Sequence, residues 1–365
     1  ETSEKLLQDA LSGSHNDIAK VLYSEYGNEF VCASIAGKAW YQFIGHRWEM
    51  IEEGIFLREK ISSVIVNMYR EMGRKSFDNE DDEVREKKIK QLSKIIKDLK
   101  NASFKDNVMK EAREVFYDKR FKDKLNTNPA IIAFKNGVYD LRENEFRDGN
   151  PEDYLSKAMP INYTKFDEKD DKVSAVFDFL EKVFPDKSVR QYFMDQASDV
   201  FVGGNHQKVV VFWTGEGDNG KSVTQSIFEK MLGELAIKFS TTLITGKKTS
   251  NGAANPELAR AGSGVRWAVL EEPDGDEQIN IGYLKSLSGN DTFFARDLFE
   301  KGKGTREITP LFKLVFITNK LPAMKNHADK ATWNRIRVIP FESTFVKPGE
   351  PCPETFEEQL LQKRF

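Results

Sequence analysis

The segment Gly215-Glu216-Gly217-Asp218-Asn219-Gly220-Lys221-Ser222 indicates the fold class of this chain. It fits the pattern G-x-x-x-x-G-K-[ST], in which a glycine-rich loop joins a strand to a helix and wraps nucleotide phosphates. The apolar run 209–213 precedes it and the helix-like segment 223–232 follows it, as the pattern requires. Lys221 is suited to the β and γ phosphates and Ser222 to Mg²⁺. We therefore predict an ATP site formed by Gly215, Glu216, Gly217, Asp218, Asn219, Gly220, Lys221, Ser222 and Val223.

Short apolar runs alternate with helix-like stretches after residue 208, which predicts an α/β fold with a parallel sheet. The predicted strands are 209–213, 265–270, 313–318 and 336–341. Earlier segments have mainly helical periodicity with short strand pairs. We therefore predict a mostly α-helical (α+β) accessory or collar domain over residues 1–190, a P-loop ATPase domain over 191–345, and the truncated start of a carboxy-terminal segment over 346–365.

Two adjacent carboxylates, Glu271 and Glu272, end the second of these strands. A P-loop enzyme uses one carboxylate near the metal and another that orients the attacking water. We assign Glu271 to Mg²⁺ and Glu272 to the water. Adjacent side chains on a strand point to opposite faces, so the assignment requires the chain to turn at the strand end. The alternative is a solvated acidic loop.

Polar and cationic residues accompany the last two strands. Asn319 follows 313–318, where open α/β sheets place ligand contacts, and would hold the γ-phosphate or its attacking water. The alternative is a turn-forming amide. Arg335 and Arg337 lie two positions apart, hence on one face if extended. One of them would stabilise the transferring phosphoryl group as an arginine finger, donated by a neighbouring subunit in an oligomer. The alternative is a pair of surface arginines.

Two lysines alternate with glycines in the segment 298–306, which predicts a hairpin with a cationic tip. Lys301 and Lys303 on such a tip suit the phosphate backbone of DNA, whereas an ordinary exposed turn is the alternative. The segment 84–124 is also basic, with fourteen Lys/Arg against seven Asp/Glu. It is either a collar that guides DNA or a solvated helix face.

Composition excludes several classes of protein. Only Cys32 and Cys352 occur, far apart, which argues against a disulfide framework or zinc knuckle and for a reducing compartment. No apolar run approaches a membrane span, and the amino end lacks the apolar core of a signal peptide, so we expect neither a membrane partner nor secretion. The chain begins without Met, and we expect it to be a fragment of a larger protein.

In this order and spacing, the motifs resemble those of superfamily 3 helicases, specifically the primase-helicase branch of large DNA viruses and phages that includes the poxvirus type. The resemblance is carried by 215–222, 271–272, 284–291 with 295–296, 316–319 and 335–341. Upstream, 134–141 and 154–157 resemble the amino-terminal domain that precedes this ATPase in the same branch. Trp267 is bulkier than the aliphatic residues usual on its strand.

This resemblance implies an AAA+-like ATPase that forms a hexameric ring, hydrolyses ATP with Mg²⁺ between subunits, and draws single-stranded DNA through its channel. The hairpin with Lys301 and Lys303 would contact the DNA. Arg335 is implied as the arginine finger, and Arg337 is the second candidate for that role. Further contacts across the subunit interface would be made by Arg260, Arg266 and Lys285.

The expected function is that of a replicative helicase on forked DNA, with a primase region in the same polypeptide. We expect it at viral replication sites in the host cytoplasm or nucleus, or in the bacterial cytoplasm if it comes from a phage. Two alternatives remain open. One is a DNA-translocating ATPase that does not unwind, such as a packaging motor or a loader. The other is a DNA-binding scaffold that uses ATP only to oligomerise.

Overall fold

The structure, a computed structural model, describes residues 3–75, 82–245, 256–271, 278–295, 306–324, 329–346, 350 and 362–364. Glu1–Leu125 with Asn150–Ser156 form one unit, and Asn126–Gly149 with Lys157–Phe365 form the other. This division differs from the predicted domain boundary near residue 190. No helix among the described residues is both long and apolar enough to cross a membrane.

The first unit combines helices with an antiparallel sheet in the order β1-β2-β3. Helix α2 begins after Ser14, whose side chain accepts a hydrogen bond from the Asp17 amide, and it buries Ile18 and Leu22 in the same core as Trp40. Its helices are α1 (Ser3–Asp9), α2 (His15–Tyr26), α3 (Ile55–Lys60), α4 (Val66–Lys75), α5 (Asp82–Asp98), α6 (Ala102–Val115) and α7 (Phe121–Lys124), and its strands are β1 (Phe30–Ser34), β2 (Ala39–Ile44) and β3 (Arg47–Ile51). Short 3₁₀ turns at Ala10–Ser12 and Pro151–Asp153 and a π-helical segment at Ile61–Ile65 complete it.

The part of the second unit that the structure describes contains a five-stranded parallel sheet, a three-stranded antiparallel sheet, two two-stranded sheets and the helices around them. Its strands are β4 (Ile131–Phe134), β5 (Gly137–Asp140), β6 (Glu145–Arg147), β7 (Val210–Thr214), β8 (Ala236–Phe239), β9 (Trp267–Glu271), β10 (Phe293–Ala295), β11 (Arg306–Ile308), β12 (Lys313–Thr318), β13 (Ile336–Pro340), β14 (Thr344–Val346) and β15 (Gln362–Arg364). Its helices are α8 (Asp171–Val183), α9 (Lys187–Asp199), α10 (Lys221–Leu232), α11 (Thr242–Thr245), α12 (Pro256–Ala261), α13 (Ile281–Ser288) and α14 (Lys330–Trp333), with a 3₁₀ turn at Gly233–Leu235.

The parallel sheet has the order β13-β7-β12-β9-β8, and every neighbouring pair in it is parallel. The strand that precedes the glycine loop, β7, therefore lies between β13 and β12. Both faces of the sheet are covered by buried apolar side chains, which explains why its strands are nearly continuous apolar runs. The predicted α/β fold with a mostly helical amino-terminal region is confirmed.

A buried guanidinium attaches the small β4-β5-β6 sheet to the core of the second unit. Arg266 donates hydrogen bonds to the carbonyl oxygens of Asn128, Pro129 and Ile131, at 2.8 to 3.0 Å. Burial lowers the pKa of Arg266 to about 10. These bonds connect residues 126–149 to the parallel sheet of the same unit. They also correct the suggestion that Arg266 contacts a neighbouring subunit, because its side chain is buried within its own unit.

Candidate functional site

The glycine-rich loop lies at the carboxyl edge of the parallel sheet, where β7, β12 and β9 end. Thr214 is level with Thr318 on β12, and Glu271 on β9 is level with Ile317. The Gly215 amide donates to the carbonyl oxygen of Asn319 at 3.2 Å. Because neighbouring strands lie about 5 Å apart, Asn319 is beside the loop and Glu271 is one strand further away. The structure thus brings Gly215, Asn319 and Glu271 to one edge.

The backbone of the loop requires glycine at two crowded positions. Gly215 has a φ of 149°, and a side chain there would collide with the carbonyl oxygen of Phe341. Gly220 has a φ of 87°, and a Cβ there would lie 3.1 Å from Val183 and 3.2 Å from Phe345. Other residues would be strained at both positions. The sequence motif is therefore a consequence of how closely the chain folds around the loop.

The ammonium group of Lys221 lies inside this loop. The side chain is buried, and its Nζ donates to the Gly215 carbonyl oxygen and, at 3.3 Å, to Asn219 Oδ1. The Asn219 amide nitrogen in turn contacts the carbonyl oxygens of Glu216 and Phe341, both at 3.3 Å. A cation surrounded by loop carbonyls and backed by a helix N-terminus is a suitable arrangement for binding phosphate.

The remaining residues of the predicted ATP site lie on the outside of the loop and of α10. Ser222 and Val223 are exposed in the first turn of α10. Glu216 is exposed and its carboxylate lies 3.2 Å from Lys320 Nζ. The Asp218 carbonyl oxygen accepts a hydrogen bond from the Phe345 amide at 2.6 Å, so strand β14 helps to hold the loop.

Glu271 is on the same face of the sheet as α10. Trp267 and Val269 of β9 share a buried core with Phe228 and Leu232 of α10, and alternation along the strand places Glu271 on that side. Trp267, the residue that departs from the family's aliphatic pattern, stacks on Phe228 with ring centroids 5.3 Å apart. The bulky indole therefore packs the strand of Glu271 against the helix that follows the glycine loop.

The carboxylate of Glu271 has a cationic partner that was not predicted from the sequence. Lys238 of β8 donates to Glu271 Oε1 through its Nζ, and both side chains are about half exposed. The second predicted carboxylate, Glu272, lies outside the described residues. Lys238 could have been suspected as the single charge in the apolar segment 235–239.

The donor set at this edge fits Mg²⁺ bound together with a nucleotide. Magnesium prefers hard oxygen ligands and commonly takes one or two protein groups plus phosphate oxygens and water. The Ser222 hydroxyl and the Glu271 carboxylate are oxygen donors of this kind at the sheet edge. Among the described residues no cluster of three or more His, Cys, Asp or Glu side chains could hold a metal without a nucleotide.

The two predicted finger residues lie near the opposite end of the sheet. Arg335 precedes β13, and its carbonyl oxygen accepts from the Val210 amide at 2.7 Å. Val210 and Gly215 are five residues apart on an extended strand, which corresponds to about 17 Å. The backbone of Arg335 therefore lies about 17 Å along the sheet from the glycine loop of its own chain.

Arg335 and Arg337 do not share a face, contrary to the prediction. Arg335 lies in a turn rather than on the strand, and its guanidinium contacts the buried Ser288 hydroxyl of α13 at 3.3 Å. Arg337 lies on β13 and donates to the carbonyl oxygens of Asn334 and Ile336, both at 2.9 Å. Its charge also lies close enough to the partly buried Tyr192 of α9 to oppose the rise in tyrosine pKa that burial causes.

The predicted DNA-contacting residues Lys301 and Lys303 lie outside the described residues. The strands on either side of them, β10 and β11, pair antiparallel with Phe293 opposite Ile308. Of the other interface candidates, Arg260 is exposed on α12. Lys285 forms an ion pair with Asp329 at 2.9 Å within its own chain, and this pair contributes to lowering the pKa of Asp329 to about 2.

The sequence of this chain is similar to those of several proteins of large DNA viruses. Residues 19–185 match the family model described as "D5 N terminal like". "Putative helicase 022R" of Frog virus 3 is 39% identical over 93% of this chain and 45% of its own length. "Putative helicase L207/L206" of Acanthamoeba polyphaga mimivirus is 36% identical, over 99% of this chain and 38% of its own.

This chain is related to the D5-type primase-helicases of large DNA viruses. The predicted resemblance is therefore confirmed, because the chain is similar in sequence to proteins named as putative helicases and a putative primase of large DNA viruses. "Putative primase C962R" of African swine fever virus, isolate Warthog, is 23% identical over 96% of this chain and 38% of its own. Among solved structures, the apo NrS-1 C-terminal region has a TM-score of 0.40 and 15% identity, over 65% of this chain and 50% of that one. The chain spans less than half the length of the viral relatives named here.

Proposed function

We propose that this chain is the motor part of a viral replicative DNA helicase, which hydrolyses ATP with Mg²⁺ in a ring of subunits, moves along single-stranded DNA and separates duplex at a fork. One observation carries the proposal. Gly215, Asn319 and Glu271 meet at the carboxyl edge of the sheet, whereas Arg335 lies about 17 Å away, near the amino end. A site of this kind is completed by a second subunit.

Each residue has a defined task in this reaction. Lys221 leaves its loop carbonyls to neutralise phosphate charge, and the loop amides and the start of α10 orient the phosphates. Ser222 and Glu271 would hold Mg²⁺, which supplies charge neutralisation when bound. Asn319 is placed to position the γ-phosphate or the attacking water.

Two further residues complete the reaction. Glu272 orients that water, and Arg335 of the neighbouring subunit stabilises the charge on the transferring phosphoryl group. Arg337 remains the reserve for the finger, because its guanidinium binds carbonyls of its own chain.

The proposal includes the DNA partner and the larger assembly. Lys301 and Lys303 would contact the phosphate backbone, and such contacts give binding that depends on salt and tolerates any sequence. A hexamer is the expected ring. A primase region elsewhere in the full-length polypeptide is also part of the proposal, in keeping with the viral relatives, of which this chain matches less than half.

A forked-duplex assay tests the function directly. The wild-type chain should hydrolyse ATP and separate the strands, whereas Lys221→Ala should do neither and still melt cooperatively. ATP hydrolysis without strand separation would favour a packaging motor or a loader. Nucleotide-dependent assembly without hydrolysis would favour a scaffold, as would full function in Glu272→Gln.

The hairpin assignment has its own control. Replacing Lys301 and Lys303 together by Ala should spare basal hydrolysis and weaken DNA binding. The exposed lysines Lys165 and Lys169, replaced together, form a control with the same change of charge. Normal unwinding by the Lys301 and Lys303 variant would refute the assignment.

A further inference from the structure

A cavity of about 200 Å³ lies in the first unit, away from the glycine loop. Seven of the fourteen residues that line it are aromatic, and all fourteen belong to the first unit. The volume exceeds the roughly 150 Å³ of a protein cavity that holds benzene. A planar ring of the size of a nucleobase therefore fits into it.

Two tyrosines leave the cavity accessible from the surface. Tyr23 of α2 and Tyr117 both line it and are 49% and 43% exposed. The backbone around Tyr117 is held by β1, since the Cys32 amide donates to the Phe116 carbonyl oxygen at 3.0 Å. The Asp118 amide donates to the Cys32 carbonyl oxygen at 3.1 Å. Tyr23 packs edge-on against Phe116 with ring centroids 5.1 Å apart, so both tyrosine rings belong to a well-anchored wall.

The charges inside and outside the cavity differ in sign. Among the described residues that line it, Asp118 and Glu152 are acidic and none is Lys or Arg. Asp118 already has a cationic partner, because Lys124 Nζ lies 3.0 Å from its carboxylate. The exposed cations Lys119 and Arg120 follow Asp118 directly in the chain. This arrangement suits a ligand that places an uncharged ring inside the cavity and a negative charge outside it.

We infer that this cavity binds a base of single-stranded DNA, while Lys119 and Arg120 hold the adjoining phosphates. Bases of any sequence stack on aromatic side chains, and neighbouring cations hold the backbone. The Asn28 amide and the Glu152 carboxylate, which also line the cavity, can form hydrogen bonds with the edge of a base. An arginine or lysine side chain of a partner protein fits less well, because Asp118 is already paired and the adjoining surface is cationic.

This inference rests on the proposed function for the choice of single-stranded DNA as the ligand. It adds a second contact, in the first unit, to the one proposed for Lys301 and Lys303. The contact lies at the carboxyl end of the basic segment 84–124, where residues 117–124 combine two aromatic and four basic side chains. That end of the segment therefore binds DNA directly.

Photo-crosslinking tests the contact without relying on ATP hydrolysis or on a substitution. The wild-type chain is irradiated with a single-stranded oligonucleotide that carries 5-iododeoxyuridine in place of thymidine, and the crosslinked peptides are identified by mass spectrometry. We expect crosslinks to the peptides that contain Tyr23 or Tyr117, and excess unmodified single-stranded DNA should suppress them. Crosslinks confined to other peptides would overturn the inference.

Affinity measurements separate this inference from the proposed function. Tyr117→Ala should weaken the binding of single-stranded DNA by about 5- to 150-fold, as the loss of one stacked base does, and Tyr117→Phe should bind like wild type because it keeps the ring. The matched control Phe56→Ala removes an exposed aromatic side chain of the same unit that does not line the cavity, and it should also bind like wild type. Equal affinities of Tyr117→Ala and Phe56→Ala would overturn the site and leave the proposed function intact. A wild-type chain that binds no single-stranded DNA would overturn both.

Discussion

Mixing two inactive variants should restore ATP hydrolysis. Arg335→Ala keeps an intact glycine loop and removes the proposed finger, whereas Lys221→Ala removes the proposed phosphate contact and keeps the finger. If each site is built from two subunits, the two variants complement each other at the interfaces that combine the intact halves. The reason is geometric, because Arg335 is level with the beginning of β7 and the loop lies at its end.

The size of the effect follows from the interface. An arginine finger is worth roughly 10³- to 10⁵-fold in rate, so Arg335→Ala alone should retain at most about one thousandth of wild-type activity. In an equimolar random mixture, about half of the subunits are Arg335→Ala and have an intact loop. The neighbour that must supply the finger is Lys221→Ala, with an intact finger, in about half of the cases. About a quarter of the interfaces should therefore be competent, and the mixture should recover about a quarter of the wild-type rate.

The assay is steady-state phosphate release at a fixed total protein concentration, with the fraction of Lys221→Ala varied. We expect activity that peaks at the equimolar mixture and is close to zero at both ends. A mixture of Arg335→Ala with wild type serves as the reference for subunit exchange. Full activity of Arg335→Ala alone would refute the reasoning. An inactive mixture in which mass measurement shows mixed oligomers would refute it as well.

Three other changes test individual contacts. Lys238→Met removes the ion pair with Glu271, which is half exposed and therefore worth about 0.2–1 kcal/mol. With Glu271 free to bind the metal, the Mg²⁺ concentration that gives half-maximal ATPase activity should fall by up to about fivefold. An unchanged Mg²⁺ titration would contradict this expectation. Arg266→Met removes three hydrogen bonds from a buried guanidinium to backbone carbonyl oxygens and should lower the free energy of unfolding by about 2–4 kcal/mol in urea titrations. Burial lowers the pKa of Lys157 from 10.5 to about 8. Between these two pH values the unfolded chain therefore binds more protons than the folded chain, and the free energy of unfolding should rise with pH. Lys157→Met should lack that rise in denaturant titrations at pH 8 and 10.5.

The sequence was sufficient to predict the parallel sheet because its central strands are short apolar runs buried on both faces. The run 313–318 coincides with β12, and the run 209–213 differs from β7 by one residue at each end. Strand β8 was not predicted. It is only four residues long and contains Lys238, so no continuous apolar run marks it.

Contacts between distant parts of the chain could not be predicted from local patterns. The bonds from Arg266 to the carbonyls of residues 128–131 join positions more than 130 residues apart. An arginine next to an apolar strand has the same local appearance whether it binds backbone of its own unit or another subunit. Arg335 differs from its expected placement for a related reason, because the turn that carries it is fixed by the Asp329 cap of α14.

Strand β13 begins one residue after Arg335 and ends one residue before Phe341, whose carbonyl oxygen contacts Asn219 in the glycine loop. One short strand thus contacts the glycine loop at one end and lies next to the proposed finger at the other. If the neighbouring subunit receives that finger, ATP binding that displaces the loop would also displace strand β13 and the arginine at its other end. Nucleotide binding in one subunit would then affect the site of the next subunit in a single rotational direction, so that the subunits of a ring would hydrolyse ATP in a fixed order.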